Sequence, residues 1–148
     1  MLCLQTFRSA RLLSVALLFA AAPLAARAAS DTCGLLTTAQ VAAATGDPVT
    51  TTTPGPSNCF WSGKASRVYL TIRDGSGWAN AKSMMMGSGK ASAVSGVGDD
   101  AFFMGAGGFL YALKGGHYII LRVNVPKFSA DQNQAAMRAL ASNAVSNM

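Results

Sequence analysis

The chain of 148 residues contains no glutamate and a single histidine, His117, so its carboxylate side chains are six aspartates. The commonest carboxylate of general acid–base catalysis is therefore missing. A zinc site built from the usual histidine and cysteine ligands would also lack most of its ligands. From these absences we expect no catalytic residue, no metal and no cofactor.

The remaining candidates for chemistry are few, and each has a simpler structural interpretation. Asp99 and Asp100 are adjacent, whereas the two carboxylates of a glycosidase face each other across about 5–10 Å. The segment GVGDDA around them leads into a predicted strand and has no lysine, unlike a phosphate-binding loop. The alternative that stays open is a small hydrolase built around His117 with Asp99 or Asp100.

Methionine is the one potential metal ligand that the chain holds in quantity, with three in a row at positions 84–86. Thioethers suit Cu(I). However, three consecutive residues of a helix spread over about 200° and cannot share one ligand face. We interpret these methionines as core filling or as an adaptable surface.

The first 28 residues have the pattern of a cleavable signal peptide. Arg8 and Arg11 precede an apolar run at 12–22, and small residues at positions 26 and 28 form the cleavage motif. The apolar run is shorter than the roughly 20 residues that span a bilayer. We therefore predict a signal peptide at 1–28 and a single exported domain at 29–148. The domain should be soluble, without stable membrane insertion, in the periplasm or secreted.

Removing the signal peptide changes the charge of the protein. Three of the twelve basic residues leave with it, which leaves nine against six aspartates and a net charge of +3. The remaining basic residues form no run. This balance argues against nucleic acid as a partner.

Two cysteines, Cys33 and Cys59, remain in the mature chain after Cys3 leaves with the signal. In an exported protein such a pair is typical of one disulfide bond. A redox pair usually lies two residues apart and a zinc site needs further ligands. We therefore predict a structural Cys33–Cys59 bridge rather than a reactive or metal-binding thiol pair.

Turn residues and hydrophobic periodicity predict an α+β domain. A first helix is capped by Thr37 with Gln40 in a capping box, and a final helix is capped by Ser129 with Gln132. Between them we predict a loop at 50–57, strands at 59–61, 67–73 and 101–104, a helix at 78–86, and a hairpin of 109–114 with 117–125. The Gly115-Gly116 turn joins the hairpin. The order α-β-β-α-β-β-β-α implies an antiparallel sheet of about five strands with helices packed on it.

A candidate binding face emerges from the strand residues that lie opposite the most apolar positions. Tyrosine and arginine are enriched among residues that dominate binding energy. The hairpin is apolar on both faces, which requires helices on both sides or leaves one face for a partner. The candidate set is Arg67, Tyr69, Arg73, Tyr111, Tyr118 and Arg122.

Several short motifs resemble an uncharacterised family of exported bacterial domains, many of them actinobacterial lipoproteins. They are CGLLTTAQV at 33–41, GDPV at 46–49, CFW at 59–61 and GVGDDAFF at 96–103. The resemblance extends over nearly all of the mature chain. It implies a bacterial envelope location and a conserved disulfide, and it implies no activity. Unlike the lipoprotein members, this chain has no lipidation cysteine.

These observations together predict a non-catalytic binding or interaction module of the bacterial envelope. Its partner would be an envelope protein or a small ligand. The alternatives are a small secreted hydrolase, an inhibitor and a structural envelope component.

Overall fold

The computed structural model describes residues 31–105 and 108–148. The predicted signal peptide and its cleavage site lie outside these residues. The described chain contains the helices α1 (Thr38–Thr45), α2 (Trp78–Gly87) and α3 (Ala130–Ser146), and the strands β1 (Val49–Pro54), β2 (Asn58–Gly63), β3 (Arg67–Asp74), β4 (Ala91–Val94), β5 (Asp100–Met104), β6 (Phe109–Lys114) and β7 (His117–Asn124). Short 3₁₀ turns, Thr32–Leu35 and Gly75–Gly77, precede α1 and α2.

The strands form one antiparallel sheet in the order β1-β2-β3-β7-β6-β5-β4. The predicted class, α+β with an antiparallel sheet, is confirmed, but the prediction of about five strands is wrong because the described chain has seven. The two missed strands, β1 and β4, are the two edges of the sheet. Most of their side chains are exposed. Edge strands of this kind lack the apolar alternation on which the prediction depended.

Strand β1 was predicted to be part of a loop at 50–57 because of Pro54 and Pro56. Pro54 is the last residue of β1 and pairs with Cys59. A proline lacks the N–H group of a ladder hydrogen bond, so it is compatible with an edge strand and not with a central one. The four consecutive threonines of β1 are β-branched and favour a strand.

Both predicted capping boxes are confirmed. The hydroxyl of Thr37 accepts a hydrogen bond from the Gln40 backbone, and the Gln40 side chain accepts one from the Thr37 backbone. Ser129 and Gln132 make the same exchange at the start of α3. Gly46 ends α1 with a φ of +63°. Side chains and backbone thus satisfy the free groups at these helix ends.

The hairpin of β6 and β7 has the predicted register, with Leu110 opposite Leu121 and Tyr111 opposite Ile120. Gly115 and Gly116 connect the strands with φ values of +56° and +84°. Such positive angles are available to glycine at no steric cost, which explains the Gly-Gly turn.

Helices α1 and α3 cover one face of the sheet, and the main core lies between these helices and the sheet. The apolar stripe of α3 packs on β6 and β7. The core side chains that are almost completely buried include Trp61, Val68, Leu70, Phe103, Leu110, Ile119, Leu121, Met137 and Leu140. The domain thus has three layers: α1 and α3 on one face, the sheet in the middle, and α2 on the other face.

Two features join the N-terminal end to this sheet. The disulfide bond between Cys33 and Cys59 is present and connects the first 3₁₀ turn to β2. The carboxylate of Asp47 accepts hydrogen bonds of 2.8 Å from the backbone of Ala65 and Ser66 in the β2–β3 turn. These bonds lower the pKa of Asp47 from 3.8 to about 2.

None of the helices within residues 31–105 and 108–148 is both long enough and apolar enough to cross a membrane.

Candidate binding face

The six residues of the predicted binding face lie on the sheet face opposite α1 and α3. Strand β3 pairs with β7 of the predicted hairpin, a neighbourhood that the sequence alone did not reveal. In their register Tyr69 faces Arg122, and Arg73 faces Tyr118. Because side chains alternate between the two faces of a strand, Arg67 and Tyr111 point to the same side. The structure therefore brings all six onto one surface, although it divides them into two groups.

The first group, Arg73, Tyr111 and Tyr118, lies under or beside α2. The Trp78 ring of α2 is 7% exposed and packs 5.5 Å from Tyr118 and 5.3 Å from Phe102. Phe102 in turn stacks on Tyr111 at 4.8 Å. Burial raises the pKa of Tyr111, and the nearby Tyr118 adds to this shift while Arg73 opposes it. This half of the face is therefore mostly an aromatic packing layer.

Asp100 holds α2 against the sheet. Its carboxylate accepts a hydrogen bond of 2.9 Å from Nε1 of Trp78 and pairs with Nζ of Lys82 at 2.7 Å. Trp78 and Lys82 are four residues apart, so both point from one side of α2. Burial raises the pKa of Asp100, but the bonds from Lys82 and Trp78 outweigh it, and the net pKa lies below the usual value.

The second group, Arg67, Tyr69 and Arg122, lines an open groove of about 400 Å³ that α2 does not cover. Phe60, Phe109 and Asn124 complete its walls. We call these six residues the cationic groove. Tyr69 is 38% exposed, and Arg122 is exposed as well. Phe60 pairs with Tyr69 and Tyr69 with Arg122, so these side chains form a row across three adjacent strands.

Both arginines of the cationic groove are held in position by uncharged groups. One terminal nitrogen of Arg67 donates to the backbone oxygens of Gly63 and Ser66 at 2.9 and 2.7 Å. The guanidinium of Arg122 lies over the Phe109 ring, 5.2 Å from its centroid. Within the described residues neither arginine forms an ion pair with a carboxylate. No carboxylate of residues 31–105 and 108–148 therefore neutralises their charges.

A second open groove, of about 390 Å³, continues from the first toward the end of α2. We call it the methionine groove; its lining includes Met85, Ser88, Lys90, Met104, Gly108 and Phe109. Phe109 belongs to both grooves, and it pairs with Met104 on the next strand. Among the described residues that line the two grooves, none is acidic.

The structure places the catalytic candidates apart from these grooves. Asp99 accepts hydrogen bonds of 3.0 Å from Nζ of Lys114 and from the Gly115 backbone, the Gly115 bond being the larger cause of its lowered pKa. Asp100 points instead to α2. His117 is exposed at the start of β7, opposite Lys114 and Asp74 in the two ladders. The two adjacent carboxylates thus face different elements.

The methionines of positions 84–86 do not share one environment. Met84 is 62% exposed and Met86 is 37% exposed, whereas Met85 lines the methionine groove. Met137, by contrast, is fully buried in the main core. Among the described residues no group of three or more histidine, cysteine or acidic side chains is arranged to hold a metal ion.

The predicted set missed Phe60, Asn124 and the methionine groove. Phe60 lies between the buried residues Cys59 and Trp61 of β2. Alternation along a strand therefore places it on the opposite face, a signal that was available in the sequence. Met85 carried no such signal, because its position depends on how α2 packs.

Comparison of the chain with models of protein families, with curated proteins and with solved structures found no significant match.

Proposed function

We propose that this chain is a non-catalytic binding module of the bacterial envelope and that it binds its partner through the cationic groove. The observation that carries this proposal is the pair of arginines, Arg67 and Arg122, which lie among half-buried and exposed aromatic rings without a carboxylate partner in the described chain. Aromatic residues and arginine are enriched at the centres of protein interfaces. The partner is an envelope protein or a small ligand.

The proposed location depends on the signal-peptide pattern at 1–28 and on the oxidised cysteine pair. Disulfide bonds persist in oxidising compartments such as the periplasm and the exterior of the cell. The Cys33–Cys59 bond is compatible with such a location. In this proposal the signal is removed on export and the domain acts in the periplasm or outside the cell.

The resemblance to exported bacterial domains supports the fold and the location rather than an activity. The residues that carry it have structural roles in this chain. Cys33 forms the disulfide, Leu35 and Leu36 are buried, and Thr37 caps α1. Asp99 and Asp100 each pair with a lysine. None of these contacts requires a substrate, so we assign these residues structural rather than catalytic roles in this chain.

Site-specific photo-crosslinking in the native envelope tests the proposed face. A photoreactive benzoylphenylalanine at position 69 should give crosslinked products. The same group at position 139, on the exposed side of α3, serves as the control. Adding Arg122→Gln should reduce the products from position 69 severalfold while the melting temperature changes little. Equal crosslinking from both positions, or no effect of Arg122→Gln, would refute the proposal.

The hydrolase alternative predicts that function depends on His117 and Asp99 rather than on the cationic groove. If His117 and Asp99 were catalytic, His117→Ala and Asp99→Ala would each abolish any cellular phenotype that depends on this protein, while the fold stayed intact. We expect both variants to keep the phenotype and the crosslink. Circular dichroism would establish that they are folded.

A further inference from the structure

The cationic groove and the methionine groove together form one amphipathic surface. Phe109 lines both, and its partner Met104 continues the row onto the next strand. From Arg122 on β7 to Met104 on β5 the surface crosses two strand spacings, or about 10 Å. Cationic side chains therefore lie at one end of a continuous surface, and thioether side chains lie toward the other.

We propose that this surface binds a single-chain anionic amphiphile. Its carboxylate is held by Arg67 and Arg122, and its alkyl chain lies across Phe109 toward Met104 and Met85. The inference rests on the proposed function, because it names the ligand class of the same face.

The two arginines are arranged to share one anion. They lie on adjacent strands and are offset by two residues, since Arg67 pairs with Asn124 and Arg122 with Tyr69. Such diagonal neighbours are about 7–8 Å apart at their backbones, within reach of long side chains. Arg67 uses one terminal nitrogen for the backbone, and the Arg122 guanidinium lies over the Phe109 ring, so among the described residues both keep N–H donors without a protein partner. Guanidinium edges match the geometry of a carboxylate.

The methionine groove fits a flexible apolar chain. Met85 and Met104 are both half-buried, and their unbranched thioethers adapt to irregular shapes. Gly105 and Gly108 also line the groove and contribute no side chains to its wall. Each groove, at about 400 Å³, lies within the range of small-ligand sites. The lining thus provides adaptable apolar contacts and adequate volume.

Charge excludes two other occupants. A second copy of this face would bring Arg67, Arg122 and Lys90 toward the same residues of the first. The first thirty residues of the chain carry three arginines and no acidic residue. Either occupant, a second copy of this face or the first thirty residues, would place its positive charges against the positively charged side chains of the surface. An anionic ligand complements the surface.

Matched twelve-carbon probes test the ligand class on the purified chain 29–148. Dodecanoate, neutral dodecyl maltoside and cationic dodecyltrimethylammonium are compared below their micellar concentrations by titration calorimetry and by NMR. Butanoate tests the contribution of the chain. We expect saturable binding of one dodecanoate, with shifts at residues of both grooves, and at least tenfold weaker binding of the other three.

Arginine variants test where the anion lies. Arg122→Gln and Arg67→Gln should each weaken dodecanoate binding by about tenfold, because each removes a charge-assisted contact. Arg138→Gln is the matched control, since Arg138 lies over the Phe103 ring at 5.1 Å on another part of the molecule. It removes the same charge and a similar ring contact, and it should leave binding unchanged. Met85→Ser should weaken dodecanoate but not butanoate.

Three results would overturn the inference: no saturable dodecanoate binding, equal losses in Arg138→Gln and Arg122→Gln, or binding to anionic phospholipid vesicles without binding of monomeric dodecanoate. In each case an Arg122-dependent crosslink from position 69 would still support the proposed binding face. Dodecanoate binding without such a crosslink would support the ligand class and count against the envelope partner. The two proposals therefore fail separately.

Discussion

Removing the Cys33–Cys59 bridge should lower the stability of the domain by an amount that the loop length determines. The cysteines are 26 residues apart in sequence. In the chain-entropy account, closing a loop of this size in the unfolded state stabilises the fold by about 3.5 kcal/mol. Small domains are typically stable by only about 5–15 kcal/mol, so this is a large fraction.

Urea unfolding of the oxidised chain, the reduced chain and the Cys33→Ala/Cys59→Ala variant measures this contribution. Reduction keeps both sulfur atoms, so it isolates the cross-link. The double variant also removes sulfur from Cys59, which is completely buried, and should be slightly less stable than the reduced chain. Without the bridge the unfolded chain exposes more surface, so the m-value should rise.

The melting temperature of the reduced chain should fall by roughly 10–20 °C. Addition of reductant to the double-alanine variant is the control and should change nothing. A loss of less than about 1 kcal/mol on reduction would mean that the native contacts around Cys33 and Cys59 already restrict the chain, and the loop-length argument would then be refuted.

Two further predictions concern the N-terminal part of the chain. The pKa of Asp47 is lowered from 3.8 to about 2 by backbone N–H groups, so its contribution to stability should be complete above pH 4 and lost as the pH falls toward 2. Asp47→Asn should therefore be less stable than the natural chain at pH 6 and nearly equal to it at pH 2 in urea unfolding; a difference that does not vary with pH would contradict this. Mass spectrometry of the exported protein should show cleavage after Ala28 and a start at Ala29, whereas a full-length chain in the membrane would disprove the signal peptide.

Alternation within β3, β6 and β7 correctly grouped the candidate residues, but only within each strand. Alternation places Arg67 and Tyr69 on one side of β3 because side chains of a strand alternate strictly. It contains no information on the neighbouring strand. Arg67 and Arg122 line the same groove because β3 pairs with β7, about fifty residues later in the chain. That pairing is a property of the whole sheet.

The limits of α2 were also predictable, since Gly87 follows its last methionine. Its position on the sheet was not, because it depends on Asp100, which contacts Trp78 and Lys82 from a distant strand. That contact decides which half of the face becomes an aromatic layer and which half stays open. Tyr118 and Arg122, equivalent in the sequence pattern, therefore have different surroundings.

The sequence by itself determined the features that a few adjacent residues control: the capping boxes at Thr37 and Ser129, the register of the hairpin around Gly115 and Gly116, and the α+β class. Capping and turn geometry depend on groups within about four residues of each other, so they can be predicted without the fold. Only the tertiary structure decided the edge strands, the position of α2 and the joined grooves. Each of these depends on backbone pairing or packing between segments far apart in the chain. The free energy of such a contact depends on both segments, so neither segment alone predicts it.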